Sequence, residues 1–268
     1  MSLTLLSFDA LRALDVPGAR HIKPENWLSH RARIQSADWI LFPEYWQVNT
    51  LVYGFKKTIF PSPASYHLGH DKIEITRAFE AIFPQHVPQT LIRASTPANI
   101  EEILDTLALP FIVKEPRSSM GQGVNLVENR RTFLDYAGAR SILYVQEYLP
   151  IDRDLRVVVV GRDILCAYWR IAPAGELRNN VARGASTSFD NIPVQALELV
   201  QNISQHFGID HAGFDIAIVD GHCHVLEFNV MFGTEAVRSR GIELGPRVRD
   251  YLEHRASTAG AAASRQPL

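Results

Sequence analysis

The chain has 268 residues, of which 46% are hydrophobic and 21% charged, and it carries a net charge of −2. Near-neutrality gives no electrostatic drive toward nucleic acid or an anionic membrane surface, so neither is expected as a partner. No apolar run reaches the roughly 18 residues that a membrane-spanning helix needs, and Met1–Leu6 lacks a basic stretch and soon meets Asp9, so a cytoplasmic protein is expected.

In chain order, Leu3–Phe8 and Trp39–Phe42 read as short strands of a small α/β unit that extends to residue 70. A helix follows over Lys72–Phe83, with Ile73, Ile75, Phe79 and Ile82 as its apolar positions. Thr96-Pro97 is an N-cap and first-turn pair for a helix over Ala98–Leu107. Phe111–Lys114 and Val124–Val127 read as strands around a Gly-containing turn. Thr132–Ala139 reads as helix, and Leu143–Glu147 as a strand. Leu155–Val160 and Ile164–Arg170 form a hairpin about Gly161-Arg162-Asp163. Pro193–Phe207 is an amphipathic helix stopped by Gly208. Gly213–Val219 and His222–Val230 form a second hairpin, and a last helix covers Pro246–His254. From Ala256 the Ala/Ser/Gly-rich chain reads as a disordered tail. Hairpins interleaved with helices imply α+β layers and not a doubly wound parallel sheet.

The second hairpin carries the most chemistry. Glu227 and Asn229 are two residues apart, so on a strand both project to one face. With Asp215 opposite Glu227, three hard oxygen donors would gather, a set suited to Mg²⁺. That arrangement predicts an odd loop at Asp220-Gly221-His222, because a two-residue Asp-Gly turn would set Asp215 opposite Leu226. Ordinary surface carboxylates on a solvated hairpin remain the alternative. Cys166 and Cys223, the only cysteines, lie in strand-like runs and read as buried thiols. A site built from His222, Cys223 and His224 is disfavoured, because neighbours on a strand face opposite ways.

Upstream stand weaker signals. Lys114 ends a strand before Ser118-Ser119-Met120-Gly121-Gln122-Gly123, a turn that can fold over phosphates and donate backbone N–H groups. It lacks a Gly-Lys-Ser/Thr ending and a following helix, so it is not a P-loop, and by itself it is an ordinary turn. Gln146-Glu147-Tyr148-Leu149 follows an apolar strand and could link two lobes. Asp154 and Arg156 share a face of the next strand. Arg178-Asn179-Asn180-Val181-Ala182-Arg183-Gly184 is an anion-binding set or a plain solvated loop.

Taken in order, these motifs resemble the ATP-grasp superfamily, and most closely its RimK-type ligases, over about His70 to Arg240. The resemblance implies an α+β ATP-grasp fold: a pre-ATP-grasp segment over 1–70, a small lobe over 71–147, a large lobe with the metal site over 148–255, and a tail over 256–268. It implies ATP as cofactor with two Mg²⁺ ions, or Mn²⁺ in their place. Lys72 and Lys114 would hold phosphates under a lid containing Ser118, Ser119, Gly121 and Gly123. Glu147 and Tyr148 would form the adenine hinge, and Asp154 would lie near the ribose. Arg178, Asn179 and Asn180 would line the phosphate and acyl-phosphate site, and Arg183 would stabilise a tetrahedral oxyanion. Asp215, Glu227 and Asn229 would be the metal ligands. The implied activity joins a carboxylate to the amine of an amino acid or peptide through an acyl phosphate, the acceptor being a small molecule or a protein. An ATP-grasp kinase and a nucleotide-binding module without turnover are the alternatives. The chain departs from the family after Asn229, where Val230-Met231-Phe232-Gly233-Thr234-Glu235 replaces small residues and Pro-Gly. The roles of Arg238 and Arg240 stay open there, as does oligomeric state, a homo-oligomer included.

Overall fold

A computed structural model describes residues 3–118, 123–171 and 186–258, together with the backbone to Ala263. The chain first lays down β1 (Leu5–Ser7), β2 (Ala19–His21), α1 (Arg31–Ser36), β3 (Trp39–Leu41), α2 (Tyr45–Asn49), β4 (Thr58–Phe60) and α3 (Pro63–His70). Its four strands pair in parallel in the order β2-β1-β3-β4. β1 and β3 are buried along their whole length, as strands covered on both faces must be.

The second layer contains α4 (Lys72–Ile82), β5 (Thr90–Ala94), α5 (Pro97–Thr106), β6 (Phe111–Lys114), β7 (Val124–Val127), α6 (Arg130–Gly138) and β8 (Ile142–Glu147). The antiparallel order β5-β8-β6-β7 puts alternate residues on opposite faces. Phe111, Val113, Leu143 and Val145 pack on Ile103 of α5 and Phe133 of α6, a core separate from the rest of the molecule. Lys114, Tyr144 and Gln146 fall on the other face. Thr96 caps α5 by accepting from the Asn99 N–H, as the sequence predicts.

The third layer holds β9 (Arg153–Val160), β10 (Asp163–Ile171), β11 (Ser186–Ser188), α7 (Val194–Phe207), β12 (His211–Val219), β13 (His222–Asn229), α8 (Glu235–Ser239) and α9 (Leu244–Ala263). The sheet order is β11-β10-β9-β12-β13, all antiparallel. Leu155, Val157, Phe214 and Ile216 pack on Ala196, Val200 and Ile203 of α7. On the opposite face, Val158, Val160 and Tyr168 meet Leu5, Leu41 and Phe60 of the first layer and Val248 and Leu252 of α9. Both of these cores contain residues of the first sheet, whereas the small sheet β5-β8-β6-β7 keeps its own.

Two expectations need correction. The last helix does not stop near His254 but continues to Ala263, in place of a disordered tail from Ala256. An Ala-rich composition removes apolar periodicity without removing helix propensity, since Ala is the strongest helix former. The loop between β12 and β13 is not odd. Val219 pairs with His222 across a two-residue turn in which Asp220 and Gly221 both have positive φ, 50° and 79°. No helix among the described residues is long and apolar enough to cross a membrane.

Candidate active site

The two-residue turn should have broken the metal set, yet Asp215 still stands opposite Glu227. A β-bulge restores the register. Ile216 pairs with Val225 and Asp215 with Glu227, leaving Leu226 as the extra residue on β13. The bulge reverses the parity of the strand. Val225 and Phe228, an odd number apart, therefore both enter the α7 core, and Glu227 and Asn229 both turn to the other face. The Asn229 Nδ2 donates to Glu227 Oε1 at 3.4 Å.

Three neighbours crowd this face. Gly213, opposite Asn229, has no room for a side chain: a Cβ would lie 2.7 Å from Arg156 Nη1 and 2.9 Å from Phe232 Cβ. Arg156 faces Asp215 across the β9–β12 pair, donating from Nε to Oδ1 at 2.5 Å and from Nη2 to Oδ2 at 3.1 Å. Arg170 reaches the same Oδ2 at 3.0 Å while its Nε and Nη2 donate to Asp154 at 2.6 and 2.8 Å. All four groups are largely buried. Burial lifts the Asp154 carboxyl to about 6 against the pull of Arg170, whereas two guanidinium groups overcome burial at Asp215 and hold its carboxyl low. Asp154, expected near the ribose, thus engages Arg170 with both oxygens. Asp215, expected on metal, here accepts from two arginines.

Two lysines approach from the second layer. Asp71 caps α4 through the Ile73 N–H at 2.8 Å and accepts from Arg117 Nε at 3.0 Å, which fixes Lys72 at the head of the helix. Lys72 Nζ lies 3.5 Å from Glu227 Oε2 and donates to the Ser118 carbonyl at 2.6 Å. It therefore joins the carboxylate of β13 to Ser118. Lys114 ends β6 with its ammonium 5.8 Å from the Tyr144 ring centroid. Burial is the main cause that lowers its pKa to about 8; nearby Glu227 opposes this and Lys72 reinforces it. The Glu115 N–H donates to Gly123 O at 2.8 Å and closes the base of the loop.

The expected hinge lies at the end of β8, where the β5–β8 ladder runs on by one pair. The Glu147 N–H donates to Gln89 O at 2.9 Å, and its Oε1 accepts from the Gln89 N–H at 2.7 Å. Tyr148 follows, half-buried. Ser118 and Gly123 border the loop, whereas Ser119, Gly121, Arg178, Asn179, Asn180 and Arg183 lie outside the described residues. Arg238 and Arg240 stand apart from the lysines: Arg238 is 3.7 Å from Asp15, and Arg240 lies 4.9 Å from the Phe189 ring. The sequence reading missed Arg170. Its signal was register, since the β9–β10 turn sets it opposite Asp154 only after a shift near Leu165.

Residues 79–252 match the family model described as the RimK-like ATP-grasp domain, most of the described molecule beyond the first sheet. The chain belongs to the RimK-like ATP-grasp family. A probable alpha-L-glutamate ligase of Citrobacter koseri is 30% identical over 172 residues, covering 61% of this chain and 57% of that protein. A ribosomal protein bS6–L-glutamate ligase of Escherichia coli is 29% identical over 173 residues, covering 62% and 58%. The match thus spans less than three-fifths of the length of these relatives. Among solved structures, a RimK-domain ATP-grasp protein of Sphaerobacter thermophilus superimposes with a TM-score of 0.71 at 13% identity, over 92% of this chain and 98% of that one. At that identity the agreement is one of fold, and the fold is the ATP-grasp fold.

Proposed function

We propose that this protein is an ATP-dependent ligase that joins a carboxylate to an amine through an acyl phosphate and releases ADP and phosphate. The observation that carries the reading is the meeting of Lys72 with Glu227 at 3.5 Å, beside Asn229 and under the buried Lys114. Cations for a polyphosphate and hard oxygens for a divalent ion converge there from two lobes. The names of the relatives point the same way.

The donor set fits Mg²⁺: Glu227 and Asn229 would hold it, joined by Asp215 when its arginines release an oxygen. When bound, the ion neutralises charge on the phosphates during transfer. The chain's own residues do the rest. Lys114, charged below about pH 8, and Lys72 position the phosphates of ATP. Glu147 and Tyr148 present the backbone of the hinge to adenine, and Asp154 serves the site by orienting Arg170. A substrate carboxylate oxygen attacks the γ-phosphorus and ADP leaves. A neutral amine then attacks the acyl carbon, phosphate departs, and the amine proton passes to solvent or a nearby base. Arg178, Asn179, Asn180 and Arg183 are assigned to the acyl-phosphate side, with Arg183 on the oxyanion. Ser118 through Gly123 would close the site against water. In domain terms, 1–70 would be the pre-ATP-grasp segment, 71–147 the small lobe and 148–255 the large lobe.

A screen of amino acids and peptides for stimulated ADP release, with mass spectrometry of the products, tests the reading. An amide with free phosphate, and a hydroxamate when hydroxylamine is added, are expected. A stable phosphoester without free phosphate would establish a kinase in its place.

A further inference from the structure

An amino acid that acts as the amine brings at least one carboxylate that does not react. Enclosing that carboxylate away from water requires a cation, with a charge-assisted hydrogen bond as the natural partner. Among the described residues, the cations around the nucleotide side other than Lys114 are already engaged. Lys72 meets Glu227 and Ser118, Arg156 and Arg170 are held by Asp154 and Asp215, and Arg117 is held by Asp71.

The first layer supplies a different one. Asp9 accepts from the Leu11 and Arg12 N–H groups at 3.0 Å, and this turn projects Arg12 toward the third layer. There Arg12 Nη1 reaches the Phe232 carbonyl at 3.4 Å. Phe232 lies three residues beyond Asn229, so their Cα atoms are at most about 11 Å apart. Its carboxylate neighbour, Asp9 Oδ2, is 3.5 Å away, and the Arg12 side chain remains 30% exposed. With Nε toward Asp9, Nη1 on a long contact to Phe232 O and part of its surface open, the guanidinium keeps donors for a second anion.

The surroundings are built rather than loose. Phe232 stacks on His211 at 4.8 Å, and His211 Nδ1–H donates to Val230 O at 2.8 Å. Burial, reinforced by Arg12 and opposed by the Val230 hydrogen bond, keeps His211 neutral with a pKa near 3. Tyr66 OH donates to Pro43 O at 2.7 Å. Burial is the main cause that raises its pKa; Glu44, Asp210 and Asp9 add to this and Arg12 opposes it. A zwitterion therefore finds both signs of charge at this seam.

We infer that Arg12, carried by the N-terminal sheet against the loop that follows the metal strand, is the specificity residue that binds the non-reacting carboxylate of the incoming amino acid. This rests on the ligase reading above. The test is steady-state ADP release by the full chain with L-glutamate, then L-aspartate, as the amine, for wild type, Arg12→Gln and Arg12→Lys. In Arg12→Gln, KM for the amino acid rises about 10- to 100-fold, the effect of losing one charged hydrogen-bonded pair. KM for ATP stays within about twofold. Arg12→Lys recovers part of the loss, having the charge without the fork. Calorimetric titration of L-glutamate into each variant with Mg·ADP present gives the same ranking without turnover. Arg12→Gln with unchanged amino-acid KM, or with amino-acid and ATP KM raised equally, overturns the assignment and leaves the ligase reading intact. A wild type that releases ADP only with amines lacking a carboxylate overturns it as well. A wild type that releases no ADP with any carboxylate–amine pair removes the ligase reading itself.

Discussion

The two faces of the sheet β9-β12-β13 are written by alternate residues of the same strands, yet they do opposite work. Toward α7 stand Leu155, Val157, Phe214 and Ile216, all with almost no exposed surface. Toward the lysines stand Asp154, Arg156, Asp215, Glu227 and Asn229, which are buried or half-buried and carry formal charge or an amide. The first face is stabilised by removing apolar area from water. Beyond the apolar patch of Val158, Val160 and Tyr168, the second holds desolvated charge in place with opposing charge, an arrangement that adds little net stability. Such charge is tolerated there because the apolar cores on either side of it supply the folding energy.

Substitutions can break that division. The largest effect is expected from Glu227→Ala, which should lower ADP release about 10³-fold or more, equivalent to about 4 kcal/mol of barrier, with little change in melting temperature. Loss of stability in place of loss of rate would place Glu227 on the structural side. Phe214→Ala should do the reverse, costing about 3–5 kcal/mol in denaturant unfolding while the folded fraction keeps its KM for ATP. Arg170→Ala should cross the division. It leaves Asp154 and Asp215 short of a buried partner, so about 3 kcal/mol of stability and most of the activity should vanish together.

A smaller effect separates the two lysines. Because the buried Lys114 has a pKa near 8, KM for ATP should rise as pH passes through about 8, and Lys114→Arg should remove the inflection. The stability sign is opposite. The folded pKa lies below the unfolded value of 10.5, so the folded state holds fewer protons between about 8 and 10.5. Lys114 therefore costs stability below pH 8, and that cost is relieved as pH rises through this window. Smallest of all, Gly221→Ala should cost about 1 kcal/mol, because a side chain is disfavoured at a φ of 79°.

Much of this was legible in the chain. Apolar periodicity and caps gave the helices Lys72–Ile82, Pro97–Thr106 and Val194–Phe207 nearly to the residue. The i, i+2 spacing gave Glu227 and Asn229 a common face. The turn at Asp220-Gly221 was misjudged because local rules admit either loop, and only the demand that both Val225 and Phe228 enter one core forces the bulge at Leu226. The alanine-rich end was misjudged because helix propensity there carries no apolar stripe to reveal it.

By itself the sequence determined the order of elements, the family, and which residue types could meet ATP and a divalent ion, because these follow from local periodicity and motif order. Only the tertiary structure decided which charges touch. Arg156 and Arg170 reach Asp215 through strand pairings between distant parts of the chain, and Arg12 reaches the Phe232 carbonyl across the seam between two sheets. Such contacts depend on register, bulges and the shared cores that bring the layers together, and these are properties of the folded whole.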